Sequence, residues 1–287
     1  MNWIIDHQEQ GWDLLRVLRR KLPTAPDGYL HQLLKKGKIL YQQHPANEAV
    51  IVEPGEKLHL PNSLRLQELF EEGLHLGVDI LLETADFLVL AKPAGLAVHR
   101  GLGHEDDNLT ARCERLMQQR GQSIFIAPVH RLDAATSGPV LFGKGRPAIA
   151  RLGAWFSDGL VDKRYLALIP DRLPATGLLN SAVPAKGKIK ESQTCFQRLA
   201  SANGFALLEL QLLSGRKHQI RRQLADAGCP IVGDTRYGGP RLAQLERLFL
   251  HGWQLRLPLE QGGLIRCSLP AQLSLVLDHL GLTLPEQ

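Results

Sequence analysis

Apolar positions Trp12, Leu14, Leu15, Val17 and Leu18 recur at roughly helical spacing and predict a helix over residues 11–21. The stretch PTAPDG breaks it. A second short helix over about 28–36 carries Leu30, Leu33 and Leu34 and stops at Gly37, a residue suited to end a helix. KILYQ and KLHLP then read as short strands, so residues 1–62 form a small α/β module. Residues 63–78 are polar with scattered leucines and read as a linker.

From residue 79 the pattern changes to apolar strands: DILLE and then DFLVLAK. A helix is expected from Leu109 to Arg120, stopped by Gly121, and VLFGK is a strand. Pro147 suits the first turn of a helix running to about Phe156. KRYLALIP, QTCFQRL and FALLELQLL are strands, and a helix over about 217–227 ends at Gly228. FLHGWQLRL is a further strand, and PAQLSLVLDHLG a last helix capped by Gly281. Strands come in runs with helices interspersed irregularly. That pattern argues for an α+β fold with a mixed, mainly antiparallel sheet over residues 79–287. No internal repeat or low-complexity tract is visible.

A chain of 287 residues that is 44% hydrophobic can build one large core and a satellite. The cysteines at 113, 195, 229 and 267 are scattered, which suggests neither a disulfide framework nor a thiolate metal site. A reducing, cytoplasmic compartment is expected. The first residues carry early acidic side chains and no long apolar run, so no secretory signal is read. No stretch approaches the roughly 20 apolar residues of a membrane helix.

The net charge of +5 tilts towards a polyanionic partner. Its distribution is more telling. Arg16, Arg19, Arg20 and Lys21 cluster on the first helix, Lys35, Lys36 and Lys38 around the end of the second, and Arg216, Lys217, Arg221 and Arg222 near the fourth quarter of the chain. Each cluster reads either as a solvated face or as a phosphate-binding one.

Three segments could carry chemistry. In His130-Arg131-Leu132-Asp133-Ala134-Ala135-Thr136-Ser137-Gly138, Asp133 either caps a turn or is a carboxylate held ionised beside Arg131 and His130 at the mouth of an apolar strand. In KRYLALI, Tyr165 is either a half-buried strand aromatic or a platform for a base. In SGRKHQIRRQL, a helix starting near Arg216 would place Arg216 and Lys217 where the helix dipole disfavours cations, and phosphate binding would explain them. No P-loop, dinucleotide fingerprint or metal cluster is present, and AVHRGLGH is too loose a phosphate loop. Neither a nucleotide cofactor nor a metal is expected.

HRLDAATSG followed by an apolar strand resembles the signature of the RluA-type pseudouridine synthases, which modify ribosomal and transfer RNA. DFLVLAKPAGLAVHRG, KRYLALI and GRKHQIRRQLADAGCPIVGDTRYGG are similar to further segments of that family, in the same order. Residues 1–62 resemble the αL-type RNA-binding domain shared with a small-subunit ribosomal protein. The resemblance implies that Asp133 is the catalytic aspartate and that Tyr165 stacks on the target base and is a candidate relay for its carbon-5 proton. It implies that Arg221 pairs with the aspartate and that Arg131 fills the gap left by the flipped nucleotide. RNA contacts are then expected from Arg131, His130, Arg216, Lys217, His218 and Arg222, and from Arg19, Arg20, Lys35 and Lys36 in the first module. The implied partner is ribosomal or transfer RNA, and a monomer is expected. Arg222-Gln223, Phe142-Gly143 and Gly11-Trp12-Asp13 depart from the commoner Val-His, Phe-Ala or Val-Ala, and Arg-Leu-Asp. A non-catalytic RNA-binding or ribosome-assembly factor on the same fold is the alternative. A carboxylate-dependent RNA hydrolase would want a second carboxylate or metal ligands near Asp133. Because every catalytic match follows residue 79, residues 80–287 are expected to fold alone.

Overall fold

Asp13, Ser63 and Asn108 each accept a hydrogen bond from the backbone N–H three residues on, and each starts a helix. The computed structural model describes residues 1–185, 188–259 and 263–284. They form two compact units from interleaved segments. The first holds Met1–Ala91, His99–Pro128 and Leu141–Ile149, and the second holds Lys92–Val98, Val129–Val140 and the chain from Ala150 on. No helix among the described residues is long and apolar enough to cross a membrane.

The first unit opens with β1 (Asn2–Ile4), α1 (Leu14–Lys21), α2 (Asp27–Lys35), β2 (Leu40–Tyr41), β3 (His44–Pro45) and β4 (Lys57–His59). The strands form one small sheet in the order β1-β4-β2-β3. The segment expected to be a linker is instead a helix, α3 (Leu64–Leu76), with Gly77 in the left-handed conformation as its C-cap. Its apolar stripe explains why: Leu66, Leu69, Gly73 and Leu76 fall on one buried face. Leu66 and Leu69 share a core with Leu14, Leu18, Leu30 and Leu58 from the preceding elements. Gly73 lies so close to Pro23 that an added Cβ would meet its ring at 2.8 Å.

The unit continues with β5 (Asp79–Glu83), β6 (Phe87–Lys92), α4 (Leu109–Gln119), β7 (Ile126–Pro128) and β8 (Gly138–Lys144), whose sheet order is β5-β6-β8-β7. The arginines of α1 hold the opening module against β5. Arg16 lies over the Trp12 ring at 3.7 Å and donates to the Leu81 carbonyl at 2.5 Å. Arg20 donates to both carboxylate oxygens of Asp79, at 2.8 and 3.3 Å. Arg19 pairs with Asp27 and Lys21 with Glu9. The α1 cluster is thus paired internally, whereas Lys35 and Lys36 are exposed.

Beneath this junction Glu83 receives both Arg120 at 2.8 Å and Lys144 at 2.5 Å, with all three side chains buried. Arg120 also donates to the Pro23 carbonyl at 2.6 Å. Burial works to raise the Glu83 carboxyl, but Arg120 and Lys144 outweigh it and hold it below its ordinary value.

In the second unit α5 (Arg146–Ser157) leads into β9 (Asp162–Pro170), β10 (Thr176–Ala185), β11 (Lys188–Ala202), β12 (Phe205–Leu212), α6 (Gln219–Asp226), β13 (Leu250–Arg256), β14 (Leu264–Arg266) and α7 (Ala271–His279). One sheet runs β10-β11-β12-β9-β13-β14 with every neighbouring pair antiparallel. The mainly antiparallel α+β expectation therefore holds. β9 is central, and its unbroken apolar run Tyr165–Ile169 is buried. The helix expected from about 217 starts at Gln219, because His218 takes a left-handed backbone with φ 54° and interrupts it.

A buried amide network fastens α6 to the sheet. Gln219 accepts from Ser214 Oγ and the Arg216 N–H, and donates to the Gln193 carbonyl and Thr194 Oγ1. Gln223 accepts from Thr194 Oγ1 at 2.6 Å and donates to the Leu179 and Ser192 carbonyls. Both amides are thereby satisfied, as buried polar groups must be.

Two outcomes are expected. Glu83→Gln leaves two buried cations without their carboxylate and should destabilise the protein by about 3–5 kcal/mol at neutral pH. A carboxyl held low in the folded state stabilises above its unfolded pKa, and that contribution is lost as pH falls through the folded one. Urea titrations from neutral to acid pH should therefore show a steeper acid loss in wild type than in Glu83→Gln, and equal slopes would refute the assignment. Deleting residues 1–62 uncovers Leu66 and Leu69, each worth about 1.5–3 kcal/mol on burial, and takes Arg20 from Asp79 and the Pro23 carbonyl from Arg120. The truncated chain should melt well below the full one by calorimetry, and an unchanged Tm would show that the opening module is only tethered.

Candidate active site

Asp133 begins a tight turn, closed by the Thr136 N–H donating to its carbonyl at 3.0 Å. Lys92 braces that turn from within. Its side chain is buried, and Nζ donates to the carbonyls of Pro93 at 2.8 Å, Leu96 at 2.6 Å and Ala134 at 3.0 Å. Burial, with Arg247 adding, draws the Lys92 pKa down to about 7, against the pull of Asp133. Three carbonyl acceptors call for the three-donor ammonium form and oppose that fall. The neighbouring loop adds a bond from the Gly95 N–H to the Ala134 carbonyl at 2.8 Å.

After the turn the chain is pinned to β13. Ser137 bridges His251, and the Gly252 N–H donates to the Ser137 carbonyl at 2.7 Å. Gly138, with φ 141°, lies so close that a Cβ would meet the Gly252 oxygen at 2.5 Å. Ser137 Oγ sits between the Arg247 guanidinium at 2.9 Å and His251 Nδ1 at 2.8 Å, while His251 Nε2 reaches the Cys267 carbonyl at 2.9 Å. These contacts define a neutral imidazole that donates through Nε2 and accepts from the serine. Burial agrees, lowering the His251 pKa to about 4.

Tyr165 stands opposite Gly252 in the β9–β13 register, so the same junction sets its distance from the Asp133 turn. Asp133 and Tyr165 line one cavity of about 750 Å³. Burial raises the Tyr165 phenol above its ordinary value, and the Asp133 charge adds to this. Asp133 itself keeps a fifth of its side chain exposed, and His218 Nε2 lies 3.8 Å from its Oδ1. The other lining carboxylate, Asp162, is engaged by Arg164 and Gln211.

Arg221 lines the cavity but clasps Asp234, through Nε at 2.7 Å and Nη2 at 2.8 Å. Among the described residues it makes no ion pair with Asp133. The Asp234 contact holds the guanidinium above its ordinary value, and Asp133 adds at longer range. Tyr237, in the same turn as Asp234, lies beneath Arg221 and bonds His218 Nδ1 at 3.0 Å.

Of the other expected contacts, Arg131, Arg216 and Lys217 also line the cavity, with Arg131 and Lys217 exposed. His130 lines it too, stacked on Phe156 at 4.6 Å, and burial with the Lys163 charge lowers its pKa to about 3. Arg222 turns to the Lys217 carbonyl at 2.7 Å. Arg19, Arg20, Lys35 and Lys36 belong to the first unit. Sequence reasoning assigned no role to Lys92, Ser137, Asp234, Tyr237 or His251. Lys92, Ser137, Asp234 and Tyr237 all lay in segments already singled out by their pattern, whereas His251 did not. No group of three His, Cys, Asp or Glu side chains among the described residues is placed to hold a metal ion.

The family model for RNA pseudouridylate synthase matches residues 86–226. The chain is 31% identical to the ribosomal large subunit pseudouridine synthase C of Vibrio cholerae serotype O1, over 86% of this chain and 85% of the relative. The chain belongs to the RluA-type RNA pseudouridine synthases. The synthase of the same name from Escherichia coli K12 is 30% identical, over 88% of this chain and 86% of its own. The structure of human RNA pseudouridylate synthase domain containing 4 superimposes with a TM-score of 0.63 at 26% identity, covering 78% of this chain and all of that one. Such synthases are isomerases, so the cavity belongs to an enzyme.

The synthase's Arg221–Asp234 clasp predicts a particular pattern of stability. Arg221→Leu strands a buried carboxylate and should cost about 3–5 kcal/mol. Replacing both partners, in Arg221→Leu with Asp234→Leu, should recover much of that loss. Urea unfolding of the two variants tests this, and a double variant less stable than the single one would contradict it.

Proposed function

We propose that this synthase converts a uridine of ribosomal RNA to pseudouridine, with Asp133 as the reacting carboxylate and the target nucleotide flipped into the cavity. The observation that carries the reading is the shared cavity of Asp133 and Tyr165. The curated relatives named above are both described as acting on the ribosomal large subunit, which favours that RNA.

The reaction breaks the bond from the sugar to nitrogen 1, turns the uracil and joins the sugar to carbon 5. Substrate and product are isomers, so neither redox partner nor group donor enters. Asp133 acts on the sugar, as nucleophile or as base, and either role needs an unshared carboxylate. The Arg221–Asp234 clasp supports this, because it places a fixed cation near Asp133 without tying up its oxygens. The volume of about 750 Å³ lies within the usual range for small-molecule sites and accommodates a flipped nucleotide. Flipping costs a few kcal/mol, roughly offset by stacking on Tyr165 and by pocket contacts. Arg131, Arg216 and Lys217 are suited to the flanking phosphates, and Lys35 and Lys36 to more distant ones.

Asp133→Asn should abolish isomerisation and leave RNA affinity within about tenfold, since phosphate contacts supply most of the affinity. The check is incubation with ribosomal RNA, scored for a mass-neutral change at a uridine without strand cleavage, beside binding measurements. Turnover by the variant would remove Asp133 from the mechanism, and an inactive wild type would sink the assignment to ribosomal RNA.

A further inference from the structure

Carbon 5 of the target base must lose its hydrogen once it has bonded to the sugar. That event occurs beside the atom on which Asp133 acts, so its proton acceptor belongs near Asp133. Tyr165 is a poor acceptor, because burial keeps its phenol protonated. His130 is stacked on Phe156, with its imidazole under the charge of Lys163.

His218 is differently placed. It lines the cavity, and its Nε2 lies 3.8 Å from Asp133 Oδ1. Its Nδ1 is engaged by the Tyr237 hydroxyl at 3.0 Å, and the Tyr237 ring meets the imidazole edge-on at 88°. Tyr237 is fixed in turn by its N–H on Asp234 at 3.3 Å and by the guanidiniums of Arg221 and Arg236 over its ring. In the tautomer whose Nδ1–H donates to the phenol oxygen, Nε2 carries a lone pair on the Asp133 side. The left-handed backbone of His218, φ 54° and ψ 28°, costs free energy and persists only where its surroundings demand it.

We propose that His218 is a catalytic residue of the isomerisation, whose Nε2 takes the proton from carbon 5. This rests on the pseudouridine reading above. The carbon 5–hydrogen bond breaks and its electron pair restores the double bond to carbon 6. The displaced pair settles on nitrogen 1, which takes up one proton. One proton leaves carbon 5 and one arrives at nitrogen 1, so the imidazole ends as it began and no other reactant is needed. The charged groups facing the ring suit a neutral base. Burial lowers its pKa, and Arg221, Arg236 and Lys217 add to this against Asp133.

The test uses the full chain and an RNA substrate carrying hydrogen or deuterium at carbon 5 of the target uridine, under single-turnover conditions. His218→Asn tolerates the left-handed backbone, can still bond Tyr237 and cannot accept the proton. It should slow the reaction by about 10²–10⁴-fold, far more than it weakens RNA binding, with a larger deuterium effect than wild type. Tyr237→Phe keeps the ring, loses the Nδ1 partner, and should show a smaller fall with the same rise in deuterium effect. A wild-type rate in His218→Asn, or a slowed rate whose deuterium effect has not grown, overturns the role. Should His218→Asn fail to fold, an unchanged deuterium effect in Tyr237→Phe overturns it alone. A wild type that forms no pseudouridine overturns the underlying reading instead.

Discussion

The approach of Gly138 to Gly252 is the constraint on which the site depends. Any side chain at 138 would drive a carbon into the Gly252 carbonyl, and its φ of 141° is one that only glycine adopts with ease. Because the two backbones touch, Ser137 can bridge His251 and receive the Gly252 N–H. The turn bearing Asp133 ends at that bridge, and Tyr165 sits opposite Gly252 on the next strand. Two side chains 32 positions apart in the sequence are thus set by one contact between main chains. Lys92 completes the brace from the other side of the turn, through carbonyls rather than through the carboxylate. Asp133 is therefore positioned through the backbone of its turn, the kind of fixed placement that preorganisation requires.

Charge is arranged on the same plan. Lys92, Arg247 and Arg221 all lie within electrostatic reach of one another or of Asp133. Arg221 is neutralised by Asp234, Arg247 donates to Ser137 and to the Leu250 carbonyl, and Lys92 spends its donors on backbone. The resemblance implied a direct Arg221–Asp133 pair, and the geometry instead has Arg221 clasping Asp234. A direct bidentate pair would stabilise the carboxylate but occupy its lone pairs. A clasped arginine supplies a fixed field without that competition.

Much of this was legible in the sequence. The strands around Tyr165 and the α+β pattern follow from apolar periodicity, and Asp133 and Tyr165 stood in the segments singled out. What escaped has physical reasons. The α3 stripe was obscured by Arg65, Glu68, Glu71 and Glu72, although Ser63 and Gly77 marked its two ends. The β10 segment contains Gly177, Asn180, Ser181 and Pro184, residues that read as turn formers and are tolerated here because β10 is an edge strand. Lys92 looked like the polar end of a strand, and only the folded chain shows carbonyls converging on it. The α1 arginines looked like a phosphate-binding face because their acceptors, Asp79 and the Leu81 carbonyl, lie some 60 residues away in sequence.

The departures near α6 make sense together. A helix starting near Arg216 would set two cations against its positive end. With His218 left-handed and the helix starting at Gln219, Arg216 and Lys217 belong to the loop instead. The Gln219 side chain takes the Arg216 N–H, so the entry is capped from inside the helix. One turn on, Gln223 stands where the related segments commonly have histidine. Its position faces one hydroxyl donor and two carbonyl acceptors at once. A neutral imidazole offers one donor and one acceptor, and would leave a carbonyl unmet. The planar amide offers an acceptor and two donors, and all are used. The substitution therefore serves the anchoring of α6, and through it the placing of His218 and Arg221 at the cavity wall.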